Sequence, residues 1–338
     1  MQKLTAMSVF DSGMKRKLQR LSTRLLVLSL ILVILVSPLT GCAITFKETT
    51  PPSGEETAFP MIVTDDLGRV VMIPEKPVKI VSLAPNNTEM LFALGLAERV
   101  VAVSDFSDYP PEAKEKPSIG VYPAPNMEQL IDLSPDLILA AEIQTEDIIL
   151  QLEERGFTVF VLAPETLEEV LESITLVGEI TGVKEEAFRL VADMRSRIKA
   201  VTDKTDSLPQ SQRPRVFYIV WHDPLMTAGS RTFQNELIGK AGGINVARDL
   251  IGWVTISLEV VIQANPEVMI ASFSYVTGED LSFQVIKEES RLGSTDARQN
   301  GRVYGIDESV ISRPGPRIVE ALELLAQMLH PEIFHPIE

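Results

Sequence analysis

The sequence predicts an α/β protein with two Rossmann-like lobes, which a single long α-helix joins and a ligand cleft separates. Three observations predict this fold: β-rich runs that alternate with helical patterns, one long amphipathic segment near mid-chain, and an internal repeat. The expected boundaries are an N-terminal lobe at 61–183, a connecting helix at 184–204 and a C-terminal lobe at 205–338.

The alternation starts with residues 62–74, where two short strands flank an Asp-Asp-Leu-Gly turn. Further strands are predicted at 78–83, 100–103, 137–141 and 158–162, and helical patterns separate them. Strands connected in this way are typical of a mostly parallel sheet.

The connecting helix is predicted from apolar residues spaced 4, 3, 4 and 3 apart, which form one continuous face. At ~1.5 Å per residue the helix would be about 30 Å long, the width of a small domain. An ordinary surface helix in one larger domain is the alternative. The apolar residues are Ala187, Val191, Met194, Ile198 and Val201.

The internal repeat relates residues 127–140 to residues 258–271 at an offset of 131 positions. An acid, a proline and an aromatic residue all match at this one offset, which favours two similar lobes with a cleft between them. The matched pairs are Glu128 with Glu259, Pro135 with Pro266, and Tyr122 with Trp253.

Residues 1–41 have the pattern of a lipoprotein signal peptide. A basic segment precedes Leu25–Val36, a twelve-residue run that is apolar except for Ser29 and is short for a bilayer span. The following Leu-Thr-Gly-Cys resembles the bacterial lipobox, in which Cys42 would become the lipidated first residue. A single-pass anchor followed by an ordinary cysteine is the alternative, and translation could start at Met1 or Met14.

Residues 42–60 predict a flexible tether, since they are rich in Thr, Pro and Glu. Cys42 is the only cysteine, so the exported body would contain no disulfide. Removing residues 1–41 takes away six basic residues and one acid, which changes the net charge from −16 to −21. Such an acidic body disfavours nucleic acid as a partner.

Residues 78–109 (VKIVSLAPNNTEMLFALGLAERVVAVSDFSDY) resemble the N-lobe opening of the periplasmic-binding family for cobalamin, haem and ferric siderophores. Ala241-Gly-Gly-Ile-Asn and Arg313-Pro-Gly-Pro-Arg317-Ile follow in the family's order, and the resemblance covers residues 61–338. It implies a substrate-binding protein of an ABC importer with a shallow cleft and limited closure. It implies no catalytic activity and no resident cofactor or metal.

The chain is most similar to the cobalamin-binding members, and this similarity implies a set of ligand-binding residues. A corrinoid is a broad disc with amide arms, so aromatic walls with polar tips suit it. At the position of Tyr122 the best-known member has tryptophan, and core packing is an alternative role for both tryptophans. The implied residues are Tyr109, Tyr122, Trp221, Trp253 and Arg313.

Glu128 and Glu259 are predicted to dock the protein on its permease. In the family an acid at the tip of each lobe meets arginines of the permease dimer, which works with ATPase subunits. Such pairs steer and orient docking more than they add affinity. The alternative is two solvated glutamates that the helix dipole favours at helix starts.

Three other functions remain open. A ferric-siderophore or haem carrier would have the same fold, and His222 could then approach a metal centre. An exported enzyme is disfavoured because neither Gly-x-Ser-x-Gly nor His-Glu-x-x-His occurs. A corrinoid sensor or scavenger without a transporter is the third.

Overall fold

The computed structural model describes residues 57–334 apart from 121–124, 145 and 274–279. The predicted signal peptide, Cys42 and Tyr122 lie outside these residues. Within the described ranges, no helix combines the length and apolar character that crossing a membrane requires.

The first lobe contains a hairpin and a parallel four-stranded sheet in the order β4-β3-β5-β6. The hairpin strands are β1 (Met61–Thr64) and β2 (Val70–Ile73). The sheet strands are β3 (Ile80–Ser82), β4 (Val100–Val103), β5 (Leu137–Ala141) and β6 (Val159–Leu162). The helices are α1 (Pro85–Ala93), α2 (Met127–Leu133), α3 (Glu146–Glu154) and α4 (Leu167–Ile180).

Helix α5 (Lys184–Thr205) connects the two sheets. Its 22 residues correspond to about 33 Å at 1.5 Å per residue. Ala187, Met194 and Val201 of the predicted apolar face are buried, and Val191 and Ile198 pack against the same core. The face therefore anchors α5 to the protein along most of its length.

The second lobe contains a mixed sheet in the order β10-β8-β7-β11-β12, with β9 also paired to β7. Strands β7, β11 and β12 are parallel, and β8 is antiparallel to both β7 and β10. The strands are β7 (Arg215–His222), β8 (Leu225–Ala228), β9 (Ile244–Asn245), β10 (Trp253–Thr255), β11 (Val268–Phe273) and β12 (Val303–Asp307). The helices are α6 (Phe233–Lys240), α7 (Leu258–Ala264), α8 (Leu281–Glu288), α9 (Asp296–Gln299), α10 (Glu308–Ser312) and α11 (Ile318–Leu329).

The sequence repeat is also a repeat of structure. Helices α2 and α7 are each seven residues long and lie at the same offset. Each has a side-chain N-cap, because Asn126 accepts from the Gln129 backbone N–H and Ser257 accepts from that of Val260. Each ends in a left-handed residue, Ser134 or Asn265, directly before a proline.

The acid after each proline fastens the next strand to its neighbour. The Asp136 carboxylate accepts a hydrogen bond from the backbone N–H of Lys79 at 2.8 Å, just before β3. The Glu267 carboxylate accepts from the N–H of Arg215 at 2.9 Å, at the start of β7. The helix, cap, turn and acid thus form one structural unit that occurs once in each lobe.

One apolar core extends through both lobes. It contains Ile73 and Ile80 of the first lobe, the buried face of α5, and Val216 and Ile270 of the second sheet. Two smaller clusters cover the opposite faces of the two sheets. The lobes are therefore packed together on the side of α4, α5 and α11.

Candidate functional site

The carboxyl ends of the parallel strands carry the segments that meet between the lobes. Strand β3 leads into α1, and β4 leads into residues 104–109. In the second lobe, β12 leads through α10 to Arg313 and Arg317. Ligands of open α/β sheets bind outside these strand ends.

Glu89 of α1 lies at the centre of the contact between the lobes. Its carboxylate accepts hydrogen bonds from Arg317 Nε at 2.9 Å and Arg317 Nη2 at 2.6 Å. Arg313 Nη1 approaches the same carboxylate at 3.2 Å. The Glu89 side chain is only 2% exposed, so both arginines compensate a buried negative charge.

The polar residues before Glu89 in helix α1 are also buried, and they form hydrogen bonds with other parts of the first lobe. Asn87 donates to the Ala140 carbonyl at 2.9 Å, and the Thr88 hydroxyl bonds to those of Ser82 and Ser107, each at 2.8 Å. These hydrogen bonds satisfy buried polar groups and fix α1 against the segment that contains Tyr109.

Arg313 and Arg317 also hold that segment directly. Arg313 Nη1 binds the Asp108 carboxylate at 2.6 Å, and the guanidinium of Arg317 lies over the Tyr109 ring, 3.9 Å from its centroid. Burial alone would lower the pKa of Arg317, but hydrogen bonding and ion pairing with Glu89 outweigh burial and raise it. Tyr109 is 40% exposed, and the neighbouring Phe106 is exposed as well.

Trp221 lies near the carboxyl end of β7 and is 50% exposed. Its indole N–H donates to the Asp223 carbonyl at 2.8 Å, which fixes the ring orientation. The ring also contacts His222, with the centroids 4.8 Å apart. Nδ1 of His222 is buried and has no hydrogen-bond partner.

Trp253 begins the edge strand β10 and is 56% exposed. Trp253 pairs with Ala228 of β8. Met226 of the same strand pairs with Thr255 of β10 on one side and with Trp221 of β7 on the other. With strands about 4.8 Å apart and a rise of about 3.4 Å per residue, the Cα atoms of the two tryptophans are about 12 Å apart. Both tryptophans therefore belong to the same side of the second sheet, two strands from each other.

Glu128 and Glu259 occupy equivalent exposed positions in the first turns of α2 and α7. Glu259 lies 3.7 Å from Arg291, and hydrogen bonds from its own backbone N–H and from Ser257 lower its pKa. An exposed carboxylate at a helix start is accessible to a cationic partner.

The structure brings Tyr109 and Arg313 into one cluster, places Trp221 and Trp253 on one sheet, and leaves Glu128 and Glu259 at two helix starts. Sequence reasoning missed Glu89, Asp108 and Arg317 as members of the first cluster. An available signal was an acid directly before the apolar run Met-Leu-Phe-Ala-Leu, together with two arginines four residues apart around Pro-Gly-Pro. In the part of the chain that the structure describes, no group of three or more His, Cys, Asp or Glu side chains could hold a metal ion.

Comparisons with known proteins agree with this architecture. The family described as "Periplasmic binding protein" matches residues 80–310. The uncharacterized ABC transporter substrate-binding lipoprotein YvrC of Bacillus subtilis is 33% identical over 302 residues, which cover 88% of this chain and 94% of YvrC. A cobalamin-binding protein of Halobacterium salinarum is 30% identical over 279 residues, which cover 81% of this chain and 75% of the relative.

Among solved structures, a possible iron-binding periplasmic solute-binding protein of Staphylococcus epidermidis has a TM-score of 0.66 and 30% identity. The match covers 76% of this chain and 100% of that protein. These likenesses confirm the predicted two-lobed α/β fold and the predicted class of substrate-binding protein. The chain belongs to the periplasmic binding protein family.

Proposed function

We propose that this chain captures a corrinoid such as cobalamin between its lobes and delivers it to the permease of an ABC importer. The observation that carries the proposal is the exposure of three aromatic side chains, one beside the contact between the lobes and two on strands of the second lobe. Tyr109, Trp221 and Trp253 all leave large parts of their rings open to solvent. Both tryptophans of the chain are in this group, although tryptophan is usually well buried.

These rings suit a corrinoid because they provide wide, rigid contact surfaces with few rotamers to fix. The Tyr109 hydroxyl and the Trp253 indole N–H can meet the amide arms of the ligand. The cobalamin-binding protein of Halobacterium salinarum supports this ligand class, since its similarity extends over 81% of the chain.

The transport role includes an anchor and a docking surface. A lipid at Cys42 would hold the protein at the outer face of the cell membrane, with residues 42–60 as the tether, and the name of YvrC supports this. Glu128 and Glu259 would each meet a basic group on one half of the permease. Their equivalent exposed positions in the two lobes support a partner with two-fold symmetry.

A ferric-siderophore or haem ligand is the second candidate. The similarity to a possible iron-binding protein of Staphylococcus epidermidis favours it, and so does His222, whose Nδ1 lacks a partner beside Trp221. The proposed role is binding and delivery in either case, without catalysis.

Calorimetric titration of the full chain in mild detergent tests the ligand class. Cyanocobalamin, haemin and a ferric hydroxamate are titrated separately under the same conditions. We expect one-to-one binding of cyanocobalamin that is at least about tenfold tighter than that of the other two, a difference of about 1.4 kcal/mol. Clear binding of haemin or the ferric hydroxamate without cyanocobalamin binding would replace the corrinoid with an iron ligand.

A further inference from the structure

We propose that Arg313 and Arg317 are positioning residues, which hold the Phe106–Tyr109 segment of the opposite lobe through an ion network centred on Glu89. In this network, the second lobe orients the tyrosine that the first lobe presents to the ligand. The inference rests on the proposed function to the extent that Tyr109 contacts the cleft ligand.

The first step is that Glu89 fixes Arg317. Two charge-assisted hydrogen bonds, of 2.9 and 2.6 Å, join the planar guanidinium to the planar carboxylate. Such a bidentate pair determines the plane of the arginine as well as its position. Because both side chains are largely buried, water competes little for these hydrogen bonds.

The second step is that Arg317 fixes Tyr109. Its guanidinium carbon lies 3.9 Å from the centroid of the tyrosine ring, within the range of a cation–π contact. One face of the ring is thus covered by the other lobe, and the exposed surface of Tyr109 is the part left open. A ring held in this way loses little rotational freedom when a ligand binds.

The third step is that Arg313 fixes the backbone before the tyrosine. Its Nη1 lies 2.6 Å from the Asp108 carboxylate, and its Nη2 donates to the Phe106 carbonyl at 3.4 Å. Two arginines and two carboxylates balance within the network. Neither arginine therefore offers an uncompensated charge to an anionic ligand.

A double-mutant cycle tests the inference on the full chain in detergent. Arg317→Ala, Tyr109→Ala and the double variant are titrated with cyanocobalamin, and their melting temperatures are measured. We expect Arg317→Ala to weaken binding about tenfold in the native background and less than about twofold in the Tyr109→Ala background. Tyr109→Phe keeps the stacked ring and should retain the coupling.

Arg197→Ala is the matched control, since Arg197 also forms a bidentate pair, with Glu323, and lies outside the network. It should leave the affinity unchanged. Equal weakening by Arg317→Ala in both backgrounds would mean that Arg317 contacts the ligand itself. If Arg317→Ala leaves the affinity unchanged in both backgrounds, the positioning role is excluded. The same holds if Arg197→Ala lowers the affinity as much as Arg317→Ala does.

Two further experiments cover the cases in which Arg317→Ala does not fold or the native chain binds another ligand. If Arg317→Ala does not fold, it is combined with Glu89→Gln, which removes the buried charge left unpaired, and the cycle is repeated in that background. If the native chain binds haemin or the ferric hydroxamate instead of cyanocobalamin, the corrinoid proposal fails. The same cycle with the ligand that binds then decides the positioning role separately.

Discussion

Among the residues that the structure describes, exposed tryptophan and buried glutamate depart from ordinary residue placement. Trp221 and Trp253 leave about half of their surface open, whereas Glu89 is almost completely enclosed. A folded chain tolerates an exposed tryptophan at little cost in stability. A buried glutamate carboxylate requires partners of opposite charge, which the two arginines provide. The exposed rings therefore point to a ligand, and the enclosed carboxylate points to a contact between lobes.

Trp253→Ala should weaken cyanocobalamin binding about tenfold or more, because it removes a large aromatic contact from the proposed binding surface. The melting temperature should stay within about 1 °C, since the ring is more than half exposed and contributes little to the core. Titration calorimetry and thermal unfolding measure the two effects.

Ile251→Ala is the control for Trp253→Ala. Ile251 is an exposed apolar residue two positions earlier in the same segment, and its replacement should leave the affinity unchanged. A loss of affinity in both variants would show that the segment as a whole matters, and not the indole ring.

The candidate residues of the site could be predicted only in part from the sequence. Tyr109, Trp221 and Trp253 have side chains that suit the ligand wherever they lie, so their residue type and the family resemblance were sufficient to nominate them. The ion pairs of Glu89 join positions more than 200 residues apart, and no local pattern specifies such a pairing. The ligand roles of the nominated residues remain predictions.

At the scale of elements, the turn between α4 and α5 depends on a close approach of the two helices. A Cβ atom built on Gly178 would lie 2.3 Å from the Cβ of Ala187 in the first turn of α5. The absence of a side chain at this position allows α5 to start directly beside α4. Gly178 therefore helps to set the direction of the connecting helix.

Gly178→Ala should destabilise the protein by about 1–3 kcal/mol, because the new methyl group overlaps Ala187. Gly239→Ala is the control: Gly239 lies in α6 and would place its Cβ in open space. That variant should be stabilised by roughly 0.4–1 kcal/mol through the lower entropy of the unfolded chain. Denaturant unfolding of both variants measures the difference, and equal effects would contradict the packing argument.

The turn between β1 and β2 carries a carboxyl group whose ionisation opposes folding. Asp66 is exposed on one side and accepts a hydrogen bond from the Ala163 N–H at 2.7 Å. Partial burial of the carboxyl group nevertheless raises its pKa, and the charges of Asp65 and Glu169 add to the shift. A pKa that rises on folding contributes stability at low pH, and this contribution is lost as the pH rises through the folded-state pKa.

Asp66→Asn should therefore raise the melting temperature at pH 7 by about 1 °C or less, because solvent screens the exposed side of the carboxylate, and the gain should shrink towards pH 4. The asparagine oxygen can still accept the Ala163 hydrogen bond. Thermal unfolding across this pH range checks the effect, with the exposed Asp132→Asn as the control. A gain that is independent of pH would exclude ionisation of Asp66 as its cause.

Elements with local signals were predictable from the sequence. The Thr166 cap and left-handed Gly182 delimit α4, and α5 follows the predicted apolar spacing. The short strands β8, β9 and β10 lack such signals, since their two to four residues become strands only through pairing with β7 or with one another.

At the scale of the whole molecule, the repeated unit places one exposed acid on each lobe. Glu128 and Glu259 follow equivalent caps and precede equivalent left-handed turns. In each unit a cap fixes the helix start, and Asp136 or Glu267 joins the strand after the helix to its neighbour. A partner with two equivalent basic sites could therefore contact both lobes at once.

Glu128→Lys together with Glu259→Lys should leave ligand affinity unchanged and reduce cellular uptake of labelled cobalamin by about tenfold or more. Charge reversal places like charges across the proposed docking surface, which opposes association. Glu185→Lys is the control, because Glu185 is also an exposed acid in the first turn of a helix. Uptake that survives both reversals would exclude the docking role.

The core that runs through both lobes also constrains how the molecule can lose its structure. Residues of β3, α5, β7 and α11 share this core. Unfolding one lobe would therefore expose buried apolar residues of the other lobe to solvent. The two lobes should consequently denature together, as a single cooperative unit with one heat-absorption peak. The same shared core opposes separation of the two lobes by thermal motion.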